Sequence, residues 1–335
     1  MPPSKPAAVL IGVVVVLAAA VAAYTVVSTN VRGPETPPTS DMDEFAKTDP
    51  SLLKYAETQQ VRTRFSEARA VAVGPSDRIY VAGDDSVRVF DSTGHHVRDI
   101  ATSSVPRCLA VAKDGTVYVG AMDRVEVYPI DPARRSSWDS AGDKAIFTSI
   151  AVTEEHVLVA DAGNREILRY DPSGKLIERI RKKDPTRNID GVMMPSAHFD
   201  VVVGVDGLIR ANDPGRLCVD VYTSQGELLE SWGKGGPEID RFIGCCNPVR
   251  IAVLSDGSIV TSEKGFPRVK VYTREGKFNC VVAGTESFVA LRCPTAGCTS
   301  GNAPDLAVDS QGRVLVLDPA TRQVRIFVRK TETKR

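Results

Sequence analysis

Short stretches of alternating apolar and polar residues recur along most of the chain. Each stretch begins with an apolar segment resembling Ala-Val, passes through a polar turn that often contains Asp-Gly, and returns in a second apolar segment. Alternation of this kind, with tight turns between the segments, predicts antiparallel β-strands joined in hairpins. Six such hairpins occur, at residues 68–83, 108–121, 149–162, 199–213, 251–263 and 305–318.

A third apolar segment follows each hairpin, and the unit then repeats. The first segments of successive units start about 47 residues apart on average. That spacing is typical of one four-stranded blade of a β-propeller. The pattern therefore predicts an all-β fold, a six-bladed β-propeller of four-stranded antiparallel blades over residues 53–328.

The two ends of the repeat region indicate how the ring closes. The last unit contains only three strands, because the chain ends in a short charged tail at residues 329–335. A missing strand would leave an exposed sheet edge. Residues 56–65, AETQQVRTRF, lie just before the first unit and have nothing else to pair with. We expect them to form the outermost strand of the last blade.

A long apolar segment lies near the N-terminus. Residues 7–27 carry no charge, and a helix of about 20 residues spans a hydrocarbon core of about 30 Å. Lys5 precedes this segment and four acidic residues follow it within residues 28–44, so the positive-inside rule places residues 1–6 in the cytoplasm.

This arrangement predicts a single-pass protein of the inner membrane with its propeller on the periplasmic side. Residues 7–27 form the signal-anchor helix, and the proline-rich residues 28–52 form a tether. Cleavage of the apolar segment as a signal peptide is the alternative, since small residues at 20–23 offer a cleavage site.

Composition and charge argue against nucleic acid as a partner. Lys and Arg number 42, Asp and Glu also number 42, and the formal net charge is zero. Aromatic residues make up 6% of the chain, which leaves few rings for stacking on bases. Together with the expected export, these values predict a protein that does not bind nucleic acid.

The repeat resembles the NHL-repeat family of β-propellers over roughly residues 55–328. The similarity lies in the strand pair and in a D-x-x-x-R loop before the third strand. Asp161–Arg165 and Asp318–Arg322 have that spacing, whereas Asp213–Arg216 and Glu263–Arg268 differ from it by one residue. We interpret these pairs as ion pairs that staple the loop.

Residues 246–278 are also similar to a group of exported bacterial NHL-like proteins that carry GCCNP followed by SEKG-x-PRVKVY. The resemblance implies a fold and a site, but no reaction. Some NHL-like propellers are zinc-dependent lyases, and related propellers are metal-dependent lactone hydrolases. Only His198 has a suitable position here for such a metal ligand, so an enzyme of this kind is disfavoured.

In a propeller, the loops leading into the innermost strands share one face with the loops between the second and third strands. We expect the ligand-binding face to lie there, around the mouth of the central channel. The residues predicted for this face are Lys264, Arg268, Asn247, Asp213 and Asp161.

Four of the seven cysteines fall in two neighbouring loops that lead into innermost strands. Cys245 and Cys246 are adjacent in one loop, and Cys293 and Cys298 lie in the other. We predict that they form one cluster at the channel mouth, with His198 from the preceding loop nearby.

Three interpretations of this cluster remain open. Disulfides are the ordinary state of exported cysteines, with Cys293 paired to Cys298 and Cys245 or Cys246 reaching Cys280 or that loop. A metal or iron–sulfur centre is the second interpretation, because thiolates and imidazole are suitable ligands. A redox-active pair of adjacent cysteines is the third. No other cofactor is indicated.

The sequence thus favours a membrane-anchored binding module over an enzyme. Its expected partner is a protein or a small molecule at the channel-mouth face. The alternative is a redox or metal-dependent accessory protein that uses the four clustered cysteines.

Overall fold

The computed structural model describes residues 47–181, 191–291 and 303–331. Within them, 24 strands form six four-stranded antiparallel sheets, and the helical content is limited to short 3₁₀ turns. The predicted all-β six-bladed propeller of four-stranded blades is confirmed. The 3₁₀ turns are Pro50–Leu52, Pro75–Asp77, Pro132–Arg134 and Thr285–Leu291.

Each of the first five blades takes its four strands from one continuous segment, innermost strand first. The first strand of the chain, β1 (Tyr55–Arg62), precedes them. The strands of the first blade are β2 (Ala68–Gly74), β3 (Arg78–Gly83), β4 (Ser86–Phe90) and β5 (His96–Ala101). Those of the second are β6 (Cys108–Val111), β7 (Val117–Gly120), β8 (Val125–Tyr128) and β9 (Ser136–Ser137).

The remaining blades follow the same order. The third comprises β10 (Phe147–Val152), β11 (Val157–Asp161), β12 (Glu166–Tyr170) and β13 (Leu176–Ile180). The fourth comprises β14 (Val201–Val203), β15 (Ile209–Asp213), β16 (Cys218–Tyr222) and β17 (Leu228–Trp232). The fifth comprises β18 (Arg250–Val253), β19 (Ile259–Ser262), β20 (Val269–Tyr272) and β21 (Phe278–Ala283). The sixth contributes β22 (Asp305–Val308), β23 (Val314–Asp318) and β24 (Gln323–Arg329).

The Asp-Gly turns predicted from the sequence connect the first two strands of several blades. Gly115, Gly207 and Gly257 have left-handed backbone angles, with φ of 85°, 74° and 84°. Glycine adopts this region without steric cost. The aspartate before each glycine accepts a hydrogen bond from the backbone N–H two residues on, at 2.9 to 3.1 Å. The turns therefore fix the register of the hairpins.

The hydrophobic core lies between neighbouring blades. Ala82 of the first blade and Val119 of the second, for example, are both fully buried in one cluster. The two tryptophans extend this packing outward. Trp138 and Trp232 pack against turn glycines of the next blade, Gly174 and Gly276, where an added Cβ would lie 2.4 Å from the indole ring. Neighbouring blades are thus held by apolar contacts from the channel to the rim.

The N-terminal strand closes the ring. β1 pairs antiparallel with β24, in a register that runs from Tyr55 opposite Arg329 to Arg62 opposite Gln323. An ion pair of 2.5 Å joins Arg325 to Glu57 across these strands. The sequence-based prediction that residues near 56–65 complete the last blade is confirmed.

The predicted signal-anchor segment 7–27 lies outside the described residues. In the ranges that the structure covers, no helix is long and apolar enough to cross a membrane. The membrane anchor therefore stays a prediction.

Removal of β1 should abolish folding. A chain lacking residues 1–66 loses the partner of β24 and exposes the edge next to Val324 and Ile326, which are fully buried. We expect this variant to aggregate or to lose cooperative unfolding, because the hydrogen bonds and apolar contacts of one whole strand disappear. Circular dichroism during thermal unfolding measures this. A chain lacking residues 1–46 is the matched control and should unfold cooperatively. Equal cooperative melting of both variants would contradict ring closure by β1.

Candidate functional site

The six innermost strands surround a channel with a cavity of about 270 Å³. One position of the repeat, three residues before the last valine of each innermost strand, lines this channel in every blade. We call these residues the channel ring. Its members in blade order are Ala70, Cys108, Ser149, Asp200, Arg250 and Asp305.

The polar members of the channel ring connect neighbouring blades. The Asp305 carboxylate accepts a hydrogen bond of 2.7 Å from the backbone N–H of Val71, across the junction of the last and first blades. Asp200 does the same for Ile251 in the next blade, at 2.6 Å. Arg250 donates from Nε to Asp305 at 2.8 Å. These contacts satisfy backbone N–H groups that no strand pairs with on the channel side.

Burial changes the protonation equilibria of this ring. It raises the pKa of Asp200 to about 6, although the Arg250 guanidinium opposes the shift. Burial also raises the pKa of Asp305, again against Arg250. The thiol of Cys108 has its pKa raised to about 12 for the same reason. The channel therefore holds an acidic group whose charge changes near pH 6 and a thiol that is inert at neutral pH.

His198 and Lys264, both predicted from the sequence, lie together at the mouth. Burial lowers the pKa of His198 to about 3, and the nearby cations of Arg250 and Lys264 lower it further. The imidazole is therefore neutral at physiological pH. Lys264 is 7% exposed, and its Nζ donates to Ser196 Oγ at 3.3 Å. No carboxylate of the described ranges lies within ion-pair distance of this ammonium.

Asn247 holds the two loops of the fifth blade together. Its Nδ2 donates to the carbonyl oxygens of Ile243 at 2.5 Å and Lys264 at 3.1 Å. Its Oδ1 accepts from the backbone N–H of Lys264 at 2.9 Å. Asn247 is 1% exposed, so a buried side chain fixes the backbone of Lys264 through these hydrogen bonds.

Arg268 belongs to a buried charge network beneath the mouth. Glu263 accepts hydrogen bonds from Arg268 at 2.9 and 3.2 Å and pairs with Lys270 at 2.8 Å. Burial lowers the pKa of Lys270 to about 8, against the attraction of Glu263. Glu263 also accepts from the backbone N–H of Ile243 at 2.9 Å. The network fixes the loop that carries Cys245 and Cys246.

Asp213 and Asp161 are fully buried and anchor loops of their own blades. Asp213 pairs with Arg216 at 2.8 Å and with Arg181 at 3.4 Å. Asp161 accepts from the backbone N–H groups of Ile146 at 2.9 Å and Gly163 at 3.0 Å. Both carboxylates are thus engaged in hydrogen bonds within the fold.

The expected stapling ion pairs form in two of the four D-x-x-x-R-like loops. Glu263–Arg268 and Asp213–Arg216 are paired, but the expectation is wrong for Asp161 and Asp318. Those two carboxylates accept backbone N–H groups of their own loops instead. The arginines at the end of these loops, Arg165 and Arg322, take left-handed φ angles of 61° and 56° and form no ion pair with them. In these two loops the aspartate carboxylate therefore stabilises the turn and not the arginine.

The two adjacent cysteines lie in contact at the rim of the mouth. Their Sγ atoms are 3.3 Å apart and unbonded; Cys245 is exposed and Cys246 is buried. The expected disulfide to Cys280 is absent: that thiol is free and fully buried in β21, among core residues of the fifth and sixth blades. Cys293 and Cys298 fall outside the described residues, so the four-cysteine cluster stays a prediction. In the part of the chain that is described, no group of three or more His, Cys, Asp or Glu side chains is arranged to hold a metal ion.

Sequence reasoning missed the channel ring. Asp200, Arg250 and Asp305 each directly precede or begin an apolar innermost strand, where they resemble ordinary polar residues at a strand end. Alignment of the six repeats in columns would have exposed them. One column holds alanine and cysteine in two blades but serine, aspartate and arginine in the other four.

The raised pKa of Asp200 predicts a pH-dependent stability. The pKa of Asp200 is about 6 in the folded protein, against an ordinary value of 3.8, so the folded state binds the proton more tightly. The contribution of Asp200 to the free energy of unfolding is fully present below about pH 4 and is lost as the pH rises through about 6. Asp200→Asn keeps an oxygen for the Ile251 N–H and removes the titration. Relative to wild type, it should gain up to about 3 kcal/mol between pH 4 and pH 7. Urea unfolding across that range measures the difference; parallel curves for the two proteins would exclude the shift.

Three solved structures share this architecture. A streptogramin B lyase has a TM-score of 0.57 and 9% identity, over 82% of this chain and 98% of that one. A structural genomics protein of unknown function from Bacteroides thetaiotaomicron has a TM-score of 0.56 and 14% identity, over 82% and 76%. A catalytically inactive virginiamycin B lyase from Staphylococcus aureus, with quinupristin, has a TM-score of 0.54 and 12% identity, over 79% and 82%.

Comparison with protein-family models and with curated proteins finds no match to this chain. Identities of 9% to 14% to solved structures show a common fold and leave the activity open. The chain is therefore similar to six-bladed propeller proteins in its fold.

Proposed function

We propose that this chain is a membrane-anchored, extracytoplasmic propeller of the NHL type that binds a ligand through an oxyanion group, a carboxylate or a phosphate, at the channel mouth. The observation that carries the proposal is the Lys264 ammonium. Lys264 is buried, with 7% of its surface exposed. Among the described residues, the hydrogen-bond partner of its ammonium is the hydroxyl of Ser196. Burial of a charge without a counter-charge is costly. A ligand that supplies the counter-charge would offset this cost.

The neighbours of Lys264 support an anionic ligand. The imidazole of His198 is neutral and so adds no charge beside Lys264. The Arg250 guanidinium, which also acts on His198, is paired with Asp305. The two carboxylates of the channel ring, Asp200 and Asp305, already accept backbone N–H groups, and Asp305 also pairs with Arg250. Among the residues that the structure describes, the positive charge of Lys264 is therefore left without a paired carboxylate.

The size of the channel limits how the ligand binds. Its cavity of about 270 Å³ is lined by the innermost strands and not by Lys264 or His198, and it is smaller than the roughly 300–1,000 Å³ of pockets that enclose a small molecule. The ligand would therefore insert one oxyanion group at the mouth, while the rest of it lies on the surrounding loops. A protein that presents one carboxylate, or a larger exported metabolite with one oxyanion group, could bind in this way. Either ligand agrees with a binding module.

Lys264→Met should abolish oxyanion binding. Inorganic phosphate and citrate serve as probes, each added to the full chain in detergent. At a probe concentration about tenfold above Kd, binding should stabilise the wild type by about 1.4 kcal/mol, a rise in Tm of a few degrees or less for a domain of this size. The variant should show no rise with either probe, because the ammonium that attracts the anion is gone.

Lys175→Met is the matched control, since Lys175 is exposed on a turn between β12 and β13. It should respond to the probes as the wild type does. Stabilisation that survives in Lys264→Met, or a wild type that neither probe stabilises, would refute the proposed oxyanion site.

The orientation in the membrane is tested separately. A reporter enzyme that is active only after export, fused behind Arg335, should be active in cells, because the positive-inside rule places everything after residue 27 outside the cytoplasm. Activity of a reporter that works only in the cytoplasm, from the same fusion point, would reverse the proposed topology.

A further inference from the structure

The adjacent thiols of Cys245 and Cys246 differ in accessibility although they touch. Their sulfurs are 3.3 Å apart, yet Cys245 is exposed and Cys246 is 3% exposed. An incoming molecule can therefore reach Cys245 alone. Once its sulfur is modified, the second thiol already lies beside it.

The loop that carries the pair is held from both sides. Ile243 donates its backbone N–H to the buried Glu263 at 2.9 Å, and Asn247 bonds back to the Ile243 carbonyl. Gly244 between them has a left-handed φ of 88°, which glycine adopts without strain. The contact of the two sulfurs thus belongs to an anchored turn.

The other described thiols are unsuited to the same chemistry. Burial raises the pKa of Cys108 and of Cys218 to about 12, and Cys280 is fully buried. Thiolate and access are both needed for reaction. The contact with Cys246 and partial burial raise the pKa of Cys245 as well, so access is what separates these thiols. Cys245 is the exposed one among the described cysteines. Within the residues that the structure describes, reactive thiol chemistry is therefore confined to Cys245 and Cys246.

Two sulfurs suit a two-electron exchange better than a metal. Structural zinc sites use four ligands and catalytic ones three. The described ranges contain no arrangement of three or more candidate ligand side chains. A disulfide, by contrast, needs the two sulfurs alone.

We propose that Cys245 and Cys246 are a thiol–disulfide exchange pair at the rim of the channel mouth. The pair reacts with incoming disulfides, either those of exported proteins or those formed by small thiols. The Cys245 thiolate attacks one sulfur of the incoming disulfide, forms a mixed disulfide and releases one thiolate. The Cys246 thiolate then attacks the Cys245 sulfur and releases the second thiolate. The pair loses two electrons, the incoming disulfide gains them, and the two protons of the pair pass to the released thiols.

The vicinal disulfide formed in this way is easily reduced again. Adjacent Cα atoms are about 3.8 Å apart across a trans peptide, whereas ordinary disulfides join Cα atoms about 4.4–6.8 Å apart. Strained disulfides have more oxidising potentials and exchange readily. The pair therefore acts reversibly.

Glutathione buffers test the exchange on the full chain. The protein is equilibrated at a series of ratios of oxidised to reduced glutathione, quenched by alkylation and digested for mass spectrometry. We expect the peptide with Cys245 and Cys246 to pass from doubly alkylated to internally oxidised as the ratio rises, and to return when reduced glutathione is added. The thiols of Cys108 and Cys280 should stay reduced throughout.

Two variants separate the roles of the thiols. Cys246→Ser should accumulate a stable glutathione adduct on Cys245, because the resolving thiol is missing. Cys245→Ser should form at least tenfold less adduct, because Cys246 is buried. Cys280→Ser is the matched control and should titrate as the wild type does. Thermal unfolding confirms that each variant is folded.

Three results would overturn the proposal. The first is a pair that stays doubly alkylated at every ratio. The second is a glutathione adduct that accumulates equally in the wild type and in Cys246→Ser. The third is a disulfide that joins either thiol to Cys293 or Cys298 instead of to its neighbour. None of these results depends on phosphate or citrate binding. Failure of the thiol–disulfide exchange proposal can therefore be distinguished from failure of the oxyanion site.

Discussion

The channel-side edge of the innermost strands is the constraint on which the rest of this structure depends. Each innermost strand pairs with a second strand on one edge only, so the backbone N–H groups of its other edge need a partner from elsewhere. Side chains of the channel ring supply it for Val71, Ile251 and Val201. Because these side chains come from the preceding blade, the bonds that satisfy the edge also connect the blades.

The use of carboxylates to satisfy these backbone N–H groups determines the electrostatics of the mouth. Carboxylates in a buried channel require a nearby cation, and Arg250 provides it for Asp305 at 2.8 Å. Above this layer, His198 is neutral, and no carboxylate of the described residues lies within ion-pair distance of the Lys264 ammonium. The positive charge at the mouth is thus separate from the charges that the fold uses for itself. Loops held by Asn247 and Glu263 keep Lys264 and the two thiols on this rim.

The sequence was sufficient for the architecture but only in part for the site. Repeated hairpins with Asp-Gly turns, and a strand left over at residues 56–65, predicted six blades and their closure, because hydrophobic alternation and turn chemistry are local signals. Asp161, Asp213 and Arg268, which the sequence predicts for the ligand-binding face, also hold loops within their blades. The role of a charged residue depends on partners that are distant in sequence. Asp305 and Val71 are 234 residues apart, and no local pattern connects them.

A crystal structure with selenate, an oxyanion that anomalous scattering locates, tests oxyanion binding at Lys264 most directly. If Lys264 binds an oxyanion, we expect an anomalous peak at the channel mouth, with selenate oxygens within about 3 Å of Lys264 Nζ. We also expect the peak to be absent from Lys264→Met crystals grown in the same form. A carboxylate of the chain itself in contact with Lys264 Nζ, with no selenate at the mouth, would contradict oxyanion binding there.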